Sequence, residues 1–187
     1  MKEPLTIALI YDFDGTLAPG NMQEYDFIPA VGKSNKEFWH DANQLAEEQD
    51  ADMVLTYMAR MIQEARSKGL SLRRGAFQES GRRVTLYKGV REWFARINAY
   101  GAARGIRILH YINSSGLKEI IEGTEIAHEF RRIYACSFLY DIDGVAYWPA
   151  VAVNYTNKTQ FIFKINKGVE SVFDSKLVNQ YIEEDKR

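Results

Sequence analysis

Two carboxylates stand one residue apart near the start of the chain, in the segment Asp12-Phe13-Asp14-Gly15-Thr16. Carboxylates this close repel each other unless a cation or a shared proton compensates their charge. A hard cation such as Mg²⁺ prefers all-oxygen ligands of this kind. An EF-hand calcium loop also opens with DxDG, but it requires further oxygen ligands at its fifth and twelfth positions. Those positions are Thr16 and Gln23 here, without the required twelfth-position glutamate, so the calcium interpretation fails.

A second DxDG, Asp141-Ile142-Asp143-Gly144, lies between two β-prone runs and is predicted to be a hairpin turn. The first DxDG differs because an apolar run precedes it and Thr16-Leu17 follows. That run, Ile7 to Tyr11, is continuously apolar and predicts a short strand buried on both faces. Ligands bind beyond the carboxyl ends of such strands, which favours a catalytic site at Asp12 and Asp14.

A second predicted strand, residues 106–112, is followed by Asn113-Ser114-Ser115-Gly116 and by a helix predicted from Leu117. A hydroxyl beside the free amides of a helix N-terminus is a natural phosphate site. The alternative is that the serine only caps the helix. The two interpretations are compatible, and both place these groups at the same sheet edge as Asp12.

Lys158 follows the loop 154–157 and opens an apolar, helical segment. A lone loop lysine is usually solvated, but this context could hold it inward. Two further strands are predicted at residues 133–140 and 145–153, and Pro149 indicates that the second of them lies at an edge.

Residues 34 to 80 interrupt this α/β pattern with a helical insertion. Ser34 and Glu37 form a predicted capping box at the start of its first helix. A second helix is predicted to begin near Asp50 or Asp52 and to stop at Lys68-Gly69, and a third covers residues 72–79. The insertion should lie above the carboxyl ends of the strands, where it could cover the site and select substrates.

The composition describes a globular chain of 187 residues with 46% hydrophobic and 26% charged residues and a net charge of −1. This size allows one core plus a subsidiary unit, and the charge does not favour nucleic acid or a membrane surface as partner. The single cysteine, Cys136, predicts a buried thiol in a reducing compartment. No apolar run suits a signal peptide or a membrane span, so a cytoplasmic location is expected.

With these motifs in place, the chain resembles the haloacid dehalogenase-like superfamily, specifically its helical-cap phosphatases of the phosphoserine phosphatase-like kind. Asp12 to Thr16 match the DxDGT motif, Ser114 matches the strand-end hydroxyl, and Lys158 matches the later lysine. The resemblance implies an α/β, Rossmann-like parallel sheet core formed by residues 1–17 and 86–187. It also implies an inserted helical cap formed by residues 18–85.

By this resemblance the protein is a Mg²⁺-dependent phosphatase that hydrolyses a small phosphorylated metabolite through an aspartyl-phosphate. Asp12 is then the nucleophile and Asp14 is the acid and base. The metal is held by Asp12 and by the main-chain carbonyl of Asp14. Phosphate binding falls to Ser114, Ser115, Thr16 and Lys158. Phosphotransfer by the same intermediate, as in mutases, remains an alternative, as does a truncated relative that binds phosphate without turnover.

The family's fourth motif, a strand followed by Gly-Asp and a further Asp, is not found after Lys158. Glu170 and Asp174 are weaker substitutes because no buried strand leads into them. We therefore expect an N-terminal fragment with weak Mg²⁺ affinity and an unpaired sheet edge through which copies could associate.

Several remaining side chains are expected to be structural or solvated, although the arginines and Glu24 could instead reach the site. They are Arg73, Arg74, Arg82, Arg83, His40, His110, His128 and Glu24. A last helix is predicted for residues 174–182.

Overall fold

The computed structural model describes residues 5–174 and 176–179. It contains one four-stranded sheet with the order β1-β2-β3-β4. The strands are β1 (Leu5–Tyr11), β2 (Ile106–Leu117), β3 (Arg132–Tyr140) and β4 (Ala146–Val151). The first three are parallel and β4 is antiparallel to β3. The helix predicted for residues 174–182 extends outside the described residues.

Within the described part of the chain the sheet is accompanied by seven α-helices: α1 (Phe27–Ala30), α2 (Asn35–Gln49), α3 (Met53–Ser67), α4 (Arg74–Gly81), α5 (Val90–Ala102), α6 (Lys118–Glu122) and α7 (Lys158–Asn166). The first four lie between β1 and α5 in the chain, so the predicted helical insertion into an α/β fold is observed. One buried apolar cluster continues from these helices into the sheet layer. None of the described helices has the length and apolar character needed to cross a bilayer.

Local sequence signals account for the two long helices of the insertion. Ser34 and Glu37 form the predicted capping box, each side chain accepting the other residue's backbone N–H. Asp52 caps α3 by accepting from the amides of Val54 and Leu55. Most of the apolar stripe of α3 is buried as its spacing predicts, with Met58 and Met61 fully enclosed, whereas Met53 at the start of the helix is 60% exposed.

The prediction that β1 is buried on both faces is wrong. Its first four residues are exposed, with Leu5 at 65% and Ile7 at 39% accessibility. The reason is position in the sheet: among the described strands β1 pairs only with β2, so it forms an edge. A continuous apolar run therefore identified a strand but not its neighbours.

The second strand is longer than predicted, and this overturns the helix N-terminus expected at the serines. β2 continues through Ser114 and Ser115 to Leu117, which pairs with Cys136 beyond an irregularity in the ladder. The helix α6 begins only at Lys118, is five residues long and has no side-chain cap. The pairing of Leu117 with Cys136 thus extends the strand over residues where the sequence predicted the start of a helix.

The second DxDG forms the predicted hairpin turn between β3 and β4. Asp141 accepts from the amides of Asp143 and Val145, and Gly144 adopts a positive φ of 73°. β4 lies at the far edge of the sheet, as Pro149 indicated.

Candidate active site

A cavity of about 670 Å³ opens where the strand ends meet the insertion. Its floor includes Asp12, Asp14 and Ser115, and its walls include residues of α2, α3 and the loop before α7. Lys158 is the one cation among the described residues that line it. The elements predicted to carry chemistry therefore do meet at one place.

Asp12 and Lys158 are joined directly although 146 positions separate them. The ammonium Nζ of Lys158 lies 2.7 Å from Oδ2 of Asp12, while Oδ1 of Asp12 accepts from the amide of Phe13 at 2.9 Å. The Asp12 side chain is 43% exposed. It is thus a partly exposed carboxylate with a cationic partner.

Asp14 occupies a different environment one residue away. Its Oδ1 accepts from the amide of Met22 at 3.0 Å. Burial raises the pKa of this carboxyl from 3.8 to about 7, and the negative charges of Asp12 and Glu24 act in the same direction. The Met22 amide and Lys158 oppose the shift without cancelling it. Asp14 can therefore hold or release a proton near neutral pH.

The two serines both line the cavity but differ in their partners. Oγ of Ser114 accepts from the amide of Gly116 at 3.0 Å in a fully buried position. Oγ of Ser115 is buried and has no hydrogen-bond partner among the described residues. The carbonyl of Ser115 accepts from the hydroxyl of Tyr57 on α3 at 2.8 Å and from the thiol of Cys136. Cys136 is the buried thiol that the sequence predicted.

Thr16, predicted to bind phosphate, does not line the cavity. It is exposed, and its amide donates to the carbonyl of Phe13 within the turn that follows the motif. The turn directs Gly15 rather than Thr16 to the cavity wall. The structure therefore gives no positional support for a phosphate contact from Thr16.

The remaining charged candidates are engaged elsewhere. The four arginines in or beside α4 contact oxygens outside the cavity. Arg73 contacts the carbonyl of Asp143, and Arg74 contacts the carboxylates of Glu119 and Glu122. Arg82 pairs with Glu79, and Arg83 pairs with Asp26. His110 is buried between Tyr11 and Asn98, as a structural histidine. Glu170 pairs with Arg131, and Asp174 accepts from the amide of Lys176. Neither acid joins Asp12.

Two side chains that line the cavity, Gln23 and Asp52, were not predicted as site residues. Gln23 is 1% exposed, and its Oε1 has no hydrogen-bond partner among the described residues. Glu24, which the sequence analysis named as able to reach the site, does not line the cavity, and it accepts from the indole of Trp39 and the side-chain amide of Asn21. Asp52 was predicted only as the start of a helix, and its second carboxylate oxygen also faces Asn154. Such contacts depend on how the insertion docks, which no local pattern reports.

The carboxylate of Asp12 and the main-chain carbonyl of Asp14 fit part of a magnesium site. Mg²⁺ is typically held by one or two carboxylates together with water and substrate phosphate. Within residues 5–174 and 176–179, no group of three or more His, Cys, Asp or Glu could form a fuller metal cage. The donor chemistry of these two residues thus suits Mg²⁺.

The family model of haloacid dehalogenase-like hydrolases matches residues 9–173. The chain belongs to the haloacid dehalogenase-like hydrolase family. An uncharacterized protein of Borreliella burgdorferi is 30% identical over 190 residues, covering 87% of this chain. The chain spans 65% of the length of that relative.

Solved structures share the fold of this haloacid dehalogenase-like hydrolase. A family hydrolase of Salmonella enterica subsp. enterica serovar Typhi matches with a TM-score of 0.60 and 18% identity, covering 87% of this chain and 51% of that one. A phosphoserine phosphatase, solved as a phospho-aspartyl intermediate analogue, matches with a TM-score of 0.57 and 15% identity over 91% of this chain and 73% of that one. At these identities the likeness establishes the Rossmann-like α/β fold.

Proposed function

We propose that this hydrolase is a Mg²⁺-dependent phosphatase that cleaves a small phosphomonoester through an aspartyl-phosphate on Asp12. The supporting observation is the contrast between two neighbouring carboxyls. Asp12 is partly exposed and paired with Lys158, whereas Asp14 is buried with a pKa raised to about 7. An accessible carboxylate beside a buried carboxyl that can hold a proton near neutral pH suits the roles of nucleophile and general acid.

In the first step a carboxylate oxygen of Asp12 attacks phosphorus, and the bond from phosphorus to the ester oxygen breaks. The proton of Asp14 passes to that oxygen, so the leaving group departs as a neutral alcohol. This step requires Asp14 to be protonated beforehand, which its raised pKa permits near neutral pH.

In the second step Asp14, now a carboxylate, takes a proton from a water molecule that attacks the phosphoryl group. The bond between phosphorus and Asp12 breaks, which releases inorganic phosphate and returns both carboxyls to their starting states. One residue thus serves as acid and then as base, because the same oxygen position is occupied first by the leaving group and then by water.

The phosphoryl group would be held by side chains with unused hydrogen-bonding capacity. Oγ of Ser115 has no partner among the described residues, and Ser114 accepts from Gly116 and keeps its hydroxyl proton to donate. Lys158 supplies positive charge beside Asp12. Mg²⁺, held by the carboxylate of Asp12 and the main-chain carbonyl of Asp14, would neutralise further phosphate charge and so reduce its repulsion of the nucleophile. The side chain of Asp14 then stays free to carry its proton.

Substrate choice would lie in the helical insertion, which we assign to a cap formed by residues 18–85. α2 and α3 contribute Trp39, Asn43, Met53 and Tyr57 to the cavity wall. A cavity of about 670 Å³ suits a small phosphorylated metabolite.

The test is phosphate release from an aryl phosphate with and without Mg²⁺. We expect activity in the parent chain, none above background in Asp12→Asn, and a loss of about 10² to 10⁴ in kcat for Asp14→Asn. Asp143→Asn is the matched control because it alters the second DxDG, which forms a hairpin turn. Full activity in Asp12→Asn would refute the mechanism.

A further inference from the structure

Asp52 has two structural roles, one in the insertion and one towards the sheet. Its Oδ1 accepts from the amides of Val54 and Leu55 at 2.9 and 3.1 Å and so caps α3. Its Oδ2 accepts from Nδ2 of Asn154 at 2.6 Å, across 102 positions of sequence. A single carboxylate therefore ties the first turn of α3 to the loop that follows β4.

Asn154 organises that loop through its other atoms. Its Oδ1 accepts from the amide and hydroxyl of Thr156 at 3.0 and 2.7 Å and from the amide of Asn157 at 3.1 Å. Three donors on Oδ1 settle the orientation of the side-chain amide, because the reverse orientation would oppose donors to donors. The Asn154 side chain thus presents its one free donor group to Asp52.

The same loop ends at Lys158. The amide of Lys158 donates to the carbonyl of Asn154 at 3.1 Å, and its carbonyl accepts from Nδ2 of Asn113 at 2.8 Å. Its side chain then reaches Asp12 at 2.7 Å. A continuous path of hydrogen bonds therefore runs from the N-terminus of α3 through Asn154 to the cation beside Asp12.

We propose that the Asp52–Asn154 hydrogen bond is a latch that couples the docked position of α3 to the placement of Lys158. When this hydrogen bond is formed, α3 is held in place as a wall of the cavity and Lys158 is held beside Asp12. Asp52 and Asn154 are positioning residues, since they act through α3 and Lys158. The effect on turnover rests on the proposed phosphatase function, whereas the coupling itself does not.

The pair can be tested by exchanging its members. Asp52→Asn keeps an oxygen to cap α3 but turns an amide towards the Asn154 amide. Asn154→Asp keeps the acceptor for Thr156 and Asn157 but sets two carboxylates against each other. The double variant restores one donor and one acceptor across the gap while preserving both local roles.

The first readout is steady-state hydrolysis of an aryl phosphate with Mg²⁺. We expect each single variant to lose about tenfold or more in kcat/KM, as loss of a charge-assisted hydrogen bond allows, and the double variant to recover most of it. Unfolding free energies of all four proteins separate this coupling from general destabilisation. This readout applies when the parent is active and Asp12→Asn is not. The latch is then overturned if the single variants have the same kcat/KM as the parent, or if the double variant has no higher kcat/KM than the single variants.

The second readout is amide hydrogen exchange, which does not depend on turnover. Asn154→Asp should raise exchange at Val54 and Leu55, and Asp52→Asn should raise exchange at Asn157 and Lys158, with protection returning in the double variant. Unchanged exchange at the distant partner overturns the latch. If the parent chain releases no phosphate, the proposed function fails and the exchange pattern alone decides whether the latch exists.

Discussion

Replacing Asp14 with Asn should change the pH dependence of stability in a way that follows from the burial of this carboxyl. The folded chain binds a proton at Asp14 with a pKa of about 7, against an ordinary value of 3.8. The folded state therefore holds the proton more tightly than the unfolded state. Stability must fall as pH rises from 3.8 towards 7, and it becomes independent of this group above that range.

The size of the effect follows from linkage. With these two pKa values, ionisation of Asp14 lowers the free energy of unfolding by about 1.5 kcal/mol at pH 5 and about 4 kcal/mol at pH 8. Asp14→Asn does not titrate, yet it keeps an oxygen to accept from the amide of Met22. Relative to the parent, the variant should therefore gain about 2.5 kcal/mol between pH 5 and pH 8.

The assay is denaturant unfolding of both proteins at the two pH values in metal-free buffer, because a bound cation would favour the ionised form. Asp143→Asn serves as control, since it removes an exposed carboxylate from the same type of motif, and its effect should be equal at both pH values. A stability difference for Asp14→Asn that does not change with pH would refute the raised pKa. The general-acid role at neutral pH would then lose its basis.

Two further predictions concern the neighbourhood of the site and the edge of the sheet. Glu24→Gln keeps an acceptor for Trp39 but removes a charge that raises the pKa of Asp14. In a plot of kcat/KM against pH for an alkyl phosphate, the descending limb of Glu24→Gln should therefore lie at lower pH than that of the parent. A limb at the same pH would contradict the effect of the Glu24 charge on the pKa of Asp14. Ile7→Lys should reduce concentration-dependent association in sedimentation velocity, because Ile7 lies on the exposed edge strand, whereas Ile142→Lys at the hairpin tip should not. Equal association in all three proteins would show that the edge does not pair.

Local sequence signals predicted most of the elements and the centre of the candidate site. Three local features depend only on neighbours within four residues and could therefore be predicted from the sequence. They are the capping box at Ser34, the cap of α3 at Asp52 and the hairpin turn at Asp141. Asp12 and Asp14 were placed by the strand that precedes them. Lys158 was singled out by its context and matched by the family resemblance, but its contact with Asp12 lies beyond any local pattern.

Tertiary structure alone decided the features that depend on which segments meet. An apolar run identifies a strand, but only the strand order shows that β1 lies at an edge and that β2 continues through Ser114 and Ser115. The pKa of Asp14 follows from burial and from charges at Asp12 and Glu24, which arise when the chain closes around the cavity. Residue types and spacing thus determined which groups could do chemistry, while docking of the helices on the strand ends determined their protonation and partners.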